Sequence, residues 1–229
     1  MYRHFPNALT ITRLFLAAAF FVVLNQYRYL GDQAWTGTGF AGLPPVAAAV
    51  PENWSLWTSI VLFVLAAATD ALDGFLARRW KVESAFGRIL DPFCDKILII
   101  GAFIFLSGPR FVIPMKAYEH AFLNMVSGVY PWMVCVILAR ELLVTAIRGE
   151  LESQNTRFPA RLAGKLKMIL QSIVVPVVLL FVWLDPLKPG HAWMGWTRDI
   201  LVYATVIVTF ISGWPYVAAA IRALRAARR

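Results

Sequence analysis

Long apolar segments alternate with shorter polar ones along the chain. Each apolar segment is about the length that a helix needs to cross the hydrocarbon core of a bilayer, roughly 20 residues. These segments cover residues 8–26, 54–79, 88–108, 126–149, 166–184 and 198–221. The pattern predicts an all-α polytopic membrane protein with six transmembrane helices, in which residues 1–229 form a single transmembrane domain.

Two parts of the chain, the stretch between the first two apolar segments and the first apolar segment itself, have features of their own. The stretch 31–53 is rich in glycine and proline, which interrupt helices, so we interpret it as a loop insertion on the extracytoplasmic side. The first apolar segment contains Arg13 and lacks a convincing small-residue cleavage site. We therefore expect it to remain as helix 1 and not to be removed as a signal peptide.

Composition supports a membrane protein. Of the 229 residues, 59% are hydrophobic and only 15% are charged, and the mean hydropathy is +0.64. These values exclude a disordered chain and argue against a water-soluble one. The formal charge of +9 favours anionic lipids or phosphorylated substrates as partners. Nucleic acid is disfavoured, because the basic residues are scattered at helix ends.

Lysine and arginine are unevenly distributed between the two sides of the predicted bundle. They are concentrated in the 78–96 loop, the 140–167 region and the tail at 222–229. By the positive-inside rule, this side and both termini face the cytoplasm. We interpret 222–229 as a basic cytoplasmic tail that contacts anionic lipid. Tryptophans near the predicted helix ends, at positions 54, 57, 80, 132, 183 and 193, are typical of an interfacial aromatic belt.

Four aspartates lie in apolar segments near the predicted cytoplasmic ends of helices 2 and 3. Asp70 and Asp73 are one helical turn apart, and so are Asp91 and Asp95. A short loop joins the two helices, so we expect them to be antiparallel neighbours with the carboxylates in one gap. Such carboxylates repel one another unless protons or cations neutralise them. An all-oxygen ligand set suits Mg²⁺ or Mn²⁺, and four aspartates can hold a pair of such ions.

Each aspartate also has a simpler explanation. Asp91 before Pro92 is a common helix N-cap arrangement. Asp95 could form an ion pair with Lys96 or Arg88. Asp70 and Asp73 could also serve proton or cation transport. The spacing of all four favours a metal site over these separate explanations.

The residues around these aspartates resemble the signature of the CDP-alcohol phosphatidyltransferases, a family of integral membrane enzymes. The matching positions are Asp70, Asp73, Gly74, Ala77, Arg78, Gly87, Asp91 and Asp95. The resemblance implies six transmembrane helices, divalent-metal dependence and two ions held by the four aspartates. It also implies that Asp95 is the general base. Gly74, Ala77, Arg78 and Gly87 would surround the cytidine diphosphate.

Three further segments, 6–15, 139–152 and 164–171, are similar to family members that use glycerol 3-phosphate as the acceptor. The resemblance therefore implies transfer of a phosphatidyl group from CDP-diacylglycerol to sn-glycerol 3-phosphate, with release of CMP. It further implies phospholipid biosynthesis, a bacterial inner membrane with the active site on its cytoplasmic side, and a homodimer.

A small dianionic acceptor needs cations around its phosphate. We expect Arg140 and Lys165 to bind the acceptor phosphate, with Arg13, Glu141 and Thr10 shaping the pocket. Alternatively, Arg140 and Glu141 form a structural pair. In that alternative Lys167, with Arg157 and Arg161, contacts lipid headgroups.

Other functions remain open from the sequence. The same chemistry could use inositol phosphate, or phosphatidylglycerol as in a cardiolipin-type synthase. A cation or proton transporter is a different class of function. It is disfavoured because transporters place ionisable groups near the membrane midplane, whereas these aspartates cluster towards one face.

Overall fold

A computed structural model describes residues 5–29, 54–80, 85–113, 125–153, 162–184 and 190–227. The predicted loop insertion at 31–53 lies outside these residues, as do the last two positions of the predicted tail at 222–229. In the described ranges the chain is all-helical, apart from one isolated antiparallel bridge between Val112 and Met125. The predicted all-α class is therefore confirmed.

Six α-helices occur in the described residues, and each overlaps one of the predicted apolar segments. A short 3₁₀-helix, Pro109–Phe111, follows the third α-helix. The α-helices are α1 (Phe5–Leu24), α2 (Trp54–Trp80), α3 (Ala85–Leu106), α4 (Pro131–Ser153), α5 (Leu162–Trp183) and α6 (Ala192–Ala227). By length and composition, the segments Leu166–Trp183 and Ala192–Arg222 could each cross a membrane.

Most helix ends differ from the sequence prediction by a few residues, and two of these differences affect the interpretation of the chain. Helix α4 begins at Pro131 and not at residue 126, because Gly128 has a φ of +68°, which ends any helix there. Proline then suits the first helical position, where its missing N–H is not needed. Helix α6 continues to Ala227, so Arg222 and Arg225 of the predicted tail lie on a helix.

The helices form a ring. Helix α1 packs against α2 and α3, helix α5 packs against α2 and α6, and helix α4 packs against α3 and α6. Helices α3 and α5 also contact each other, which divides the ring into two four-helix units. The first unit contains α1, α2, α3 and α5, and the second contains α3, α4, α5 and α6. In the first unit, α2 and α3 occupy opposite corners between α1 and α5. The direct pairing of α2 and α3 at their aspartate-bearing ends stays a prediction.

The core that holds this ring together is aromatic and aliphatic. Phe20 of α1 and Phe63 of α2 are fully buried, with ring centroids 5.5 Å apart. Phe103 and Leu106 are buried on α3, and Phe111 is buried in the 3₁₀-helix. In a bilayer such side chains stabilise the bundle through close van der Waals packing between helices, because lipid is as apolar as the core.

Most of the exposed tryptophans in the described ranges lie at one end of the bundle. Trp57 at the start of α2 contacts Trp183 at the end of α5, with centroids 5.7 Å apart. Trp193 at the start of α6 contacts Phe181 of α5. Trp132 at the start of α4 contacts Tyr203 of α6. These tryptophans are exposed, as expected for an aromatic belt at a membrane interface.

Candidate active site

A buried cluster of charged side chains lies between α4 and α5. Glu141 Oε1 accepts a hydrogen bond from Arg140 Nη1 at 2.8 Å and another from Lys167 Nζ. The three side chains are between 7% and 11% exposed. One carboxylate therefore balances two cations, and the cluster keeps a net positive charge.

This arrangement tests parts of the alternative explanation of these residues, whereas binding of the acceptor phosphate stays a prediction. Arg140 and Glu141 do form an ion pair, as the alternative interpretation stated. The same alternative placed Lys167 at lipid headgroups, and that part is wrong, because Lys167 is 5% exposed and pairs with Glu141. A buried ammonium needs an anion beside it, and Glu141 supplies that anion.

Polar side chains of α5 and α6 surround the cluster. Ser212 Oγ accepts a hydrogen bond from Arg140 Nη2 at 2.9 Å. Gln171, one turn after Lys167, donates through Nε2 to Thr209 Oγ1 at 3.3 Å. All three polar residues are buried. None of them was predicted from the sequence, although Thr209 and Ser212 lie one turn apart in an apolar segment.

The Nε atom of Arg140 is the one nitrogen of its guanidinium group that none of the described contacts satisfies. This atom is buried and has no hydrogen-bond acceptor among the residues that the structure describes. A buried donor without an acceptor costs about 1–3 kcal/mol. An anion that binds at this edge of the guanidinium group would recover that cost.

Helix α3 is linked through Thr145 to the backbone of Glu141. Lys96 Nζ donates a hydrogen bond to Thr145 Oγ1 at 2.6 Å, and Thr145 Oγ1 donates to the Glu141 carbonyl oxygen at 2.7 Å. Because Asp95 immediately precedes Lys96, the backbone brings the predicted general base to the same level of the bundle as the cluster.

The signature residues lie on two helices. Asp70, Asp73, Gly74, Ala77 and Arg78 are in the last part of α2. Gly87, Asp91 and Asp95 are in the first half of α3. The interpretation of Asp91 as an N-cap is wrong, because α3 begins at Ala85 and Asp91 lies in its interior.

The side chains of these signature residues lie outside those that the structure describes, as do those of Lys165 on α5 and Thr10 on α1. Arg13, also on α1, is described and is 1% exposed. Among the described side chains, no group of three or more acidic, histidine or cysteine residues could hold a metal. The four aspartates carry only oxygen ligands, which are the kind that Mg²⁺ and Mn²⁺ prefer.

Comparison with known proteins tests the family resemblance. A family model described as CDP-alcohol phosphatidyltransferase matches residues 3–211. The chain belongs to this family. Its membership confirms the resemblance carried by the aspartate signature, and identifies the chain as a membrane enzyme of the phosphatidyltransferase type.

Several relatives carry the name CDP-diacylglycerol–glycerol-3-phosphate 3-phosphatidyltransferase. Those of Cereibacter sphaeroides and Bacillus subtilis are each 28% identical to the chain, over 92% of this chain and 92% of the relative. That of Mycoplasma pneumoniae is 31% identical over 74% of this chain and 65% of the relative. The chain is thus similar over most of its length to bacterial members of one named type.

Proposed function

We propose that the protein transfers the phosphatidyl group of CDP-diacylglycerol to sn-glycerol 3-phosphate, giving phosphatidylglycerophosphate and CMP in phospholipid biosynthesis. The names of the relatives support this choice of donor and acceptor. The structural observation that carries the proposal is the buried, net positive cluster of Arg140, Glu141 and Lys167.

The cluster suits a small phosphorylated alcohol. A phosphate dianion that leaves water needs compensating cations and hydrogen-bond donors. Arg140 offers its unused Nε, and Lys167 adds a second positive charge in the same place. We assign Arg140 and Lys167 to the acceptor phosphate, because both side chains lie in the buried cluster. Lys165, expected in this role from the sequence, lies about 200° around α5 from Lys167 and is proposed as a second phosphate ligand only. Arg13, Glu141 and Thr10 would shape the pocket, and Glu141 would hold the two buried cations together.

The aspartates are assigned to the donor lipid and to proton transfer. Asp70, Asp73, Asp91 and Asp95 would hold two divalent ions, Mg²⁺ or Mn²⁺, because their oxygen ligands suit these metals. When bound, such ions neutralise the diphosphate and stabilise the leaving CMP. Asp95 would take the proton of the acceptor hydroxyl as that oxygen attacks the phosphorus. Gly74, Ala77, Arg78 and Gly87 would surround the cytidine diphosphate.

The membrane arrangement follows from the same proposal. We assign the six α-helices to six membrane spans, with both termini and the active site on the cytoplasmic side of a bacterial inner membrane. The concentration of lysine and arginine at the end that carries the termini and the aspartates supports this orientation. We also propose a homodimer, and we place the 31–53 insertion on the extracytoplasmic side.

The test is an acceptor panel with purified protein. CDP-diacylglycerol and Mg²⁺ are supplied with glycerol 3-phosphate, inositol phosphate or phosphatidylglycerol in separate reactions, and the lipid product and CMP are measured. Of the three acceptors, we expect only glycerol 3-phosphate to give a lipid product. A metal chelator should abolish the activity, and added Mg²⁺ should restore it. Product from another acceptor would replace the assigned substrate. Cation flux in vesicles without CMP release would point to a transporter.

A further inference from the structure

Two adjacent residues of α6, Ser212 and Gly213, contact the side chain of Arg140. Ser212 is 2% exposed and Gly213 is also buried. Both lie beyond residue 211, where the match to the family model ends. The family match therefore says nothing about these two residues, and their role is inferred from their contacts with Arg140.

Ser212 holds one terminal nitrogen of the guanidinium group. Its hydroxyl donates to the Thr209 carbonyl oxygen at 2.8 Å, so the hydroxyl proton is used within α6. The oxygen is then oriented to accept from Arg140 Nη2 at 2.9 Å. The other terminal nitrogen, Nη1, donates to Glu141. Hydrogen-bond partners from α4 and α6 thus fix both terminal nitrogens of the Arg140 guanidinium group.

Gly213 lets the backbone of α6 approach the same side chain. A Cβ atom at this position would lie 3.2 Å from Arg140 Cγ and 3.6 Å from Arg140 Nε. The first distance is tighter than ordinary van der Waals contact between carbon atoms, about 3.5–4.0 Å. A side chain at 213 would therefore press on the stem of Arg140 beside its Nε atom.

The fixed guanidinium group leaves Nε–H without an acceptor among the described residues. We propose that Ser212 and Gly213 are positioning residues, which hold Arg140 so that its Nε–H edge stays available to the phosphate of the acceptor. This inference rests on the proposed function, because it takes the acceptor to be a phosphorylated alcohol. It assigns to α6 a part in setting the affinity for that acceptor.

Steady-state kinetics with Ser212→Ala and Ser212→Thr test the role of the hydroxyl. Without the hydroxyl, Arg140 loses one anchor, and we expect the KM for glycerol 3-phosphate to rise about tenfold, as for loss of a hydrogen bond to a charged group. The kcat and the KM for CDP-diacylglycerol should stay within about twofold, because only acceptor binding is affected. Ser212→Thr keeps the hydroxyl and should restore the KM.

Thr205→Val is the matched control. Thr205 is buried two turns earlier on α6, and its hydroxyl donates to the Leu201 carbonyl oxygen of its own helix. Its loss removes a buried hydroxyl without touching Arg140, so the acceptor KM should not change. Gly213→Ala provides a second route, because it displaces Arg140 without removing a polar group. It should also raise the acceptor KM selectively.

The possible outcomes separate the inference from the function on which it rests. An unchanged acceptor KM in Ser212→Ala, or in Gly213→Ala if Ser212→Ala does not fold, overturns the inference. An equal rise in the KM for the donor lipid also overturns it. So does an acceptor KM in Ser212→Thr that is as high as in Ser212→Ala. If the wild type uses another phosphorylated acceptor, the proposed substrate is wrong and the same variants are judged with that acceptor. Absence of transfer to every acceptor overturns both.

Discussion

Replacing Glu141 with glutamine should strongly destabilise the protein, because this residue is the carboxylate that balances two buried cations. The Arg140 Nη1 and Glu141 Oε1 atoms are 2.8 Å apart, which corresponds to an attraction of about 6 kcal/mol at an effective dielectric of 20. Burial has already cost each charge several kcal/mol of hydration, so the intact pair contributes little net stability. Without the carboxylate, Arg140 and Lys167 stay buried and repel each other. Losing one partner of a buried pair typically costs about 3–5 kcal/mol.

Thermal unfolding in detergent, followed by tryptophan fluorescence, measures this loss. In a chain of this size each kcal/mol lowers Tm by about 2–4 °C, so Glu141→Gln should unfold roughly 6–20 °C below the wild type. Glu150→Gln is the matched control, since Glu150 is on the same helix and exposed. Its Tm should shift by less than about 2 °C. An equally small shift in Glu141→Gln would refute the assignment of Glu141 as the balancing charge.

A double-mutant cycle separates charge pairing from packing. Lys167→Met alone leaves the Arg140–Glu141 pair intact. The double variant Glu141→Gln with Lys167→Met removes both members of the Lys167–Glu141 pair. We expect the double variant to lose at least about 1 kcal/mol less than the sum of the two single losses, because the buried ammonium is gone and only the Arg140 guanidinium remains without its carboxylate. Strict additivity would show that the two side chains act independently.

Three further predictions address the chemistry and the fold. Asp95→Asn should nearly abolish CMP release while CDP-diacylglycerol still binds, and near-normal turnover would remove Asp95 from the role of base. Arg140→Ala should raise the KM for the acceptor much more than that for the donor lipid, and an unchanged acceptor KM would place the pocket elsewhere. Gly128→Ala should lower Tm by several degrees with both KM values unchanged, because φ is +68° and the new Cβ would lie 2.6 Å from Asp199 Oδ1. A wild-type Tm in that variant would contradict this packing.

The positions of the helices could be predicted because their sequences are almost uniformly apolar. In a hydrocarbon environment every backbone polar group must find its partner within the segment, so a long apolar run implies a helix. The segment 54–79 was predicted in this way and the helix is Trp54–Trp80. The start of α4 could not be predicted from hydropathy. It depends on the backbone at Gly128 and on Arg198, which donates through Nη1 to the Val126 carbonyl oxygen at 2.6 Å.

The charged cluster was only half predictable for a related reason. Arg140 and Glu141 stand out as charges inside an apolar run, which marks them without any structure. Lys165 and Lys167 are separated by about 200° around a helix, and spacing alone does not say which of the two is turned towards Glu141 of α4. The packing shows that Lys167 faces the interior. Ser212 was missed because its role depends on how α6 is rotated towards Arg140.

The layout of the ring explains how one active site could handle two substrates. Helix α3 belongs to both four-helix units, since it contacts α1 and α5 on one side and α4 on the other. Asp95 and Lys96 are consecutive and so lie about 100° apart around α3, on adjoining faces. Lys96 is bonded to Thr145 in the unit that holds the charged cluster. Under the proposed function, the phosphate of the acceptor binds in that cluster while its hydroxyl lies beside Asp95. The distance between the phosphate and the hydroxyl must then match the distance between two adjoining faces of α3. A short phosphorylated alcohol meets that requirement, whereas a phosphate far from the reacting hydroxyl would not.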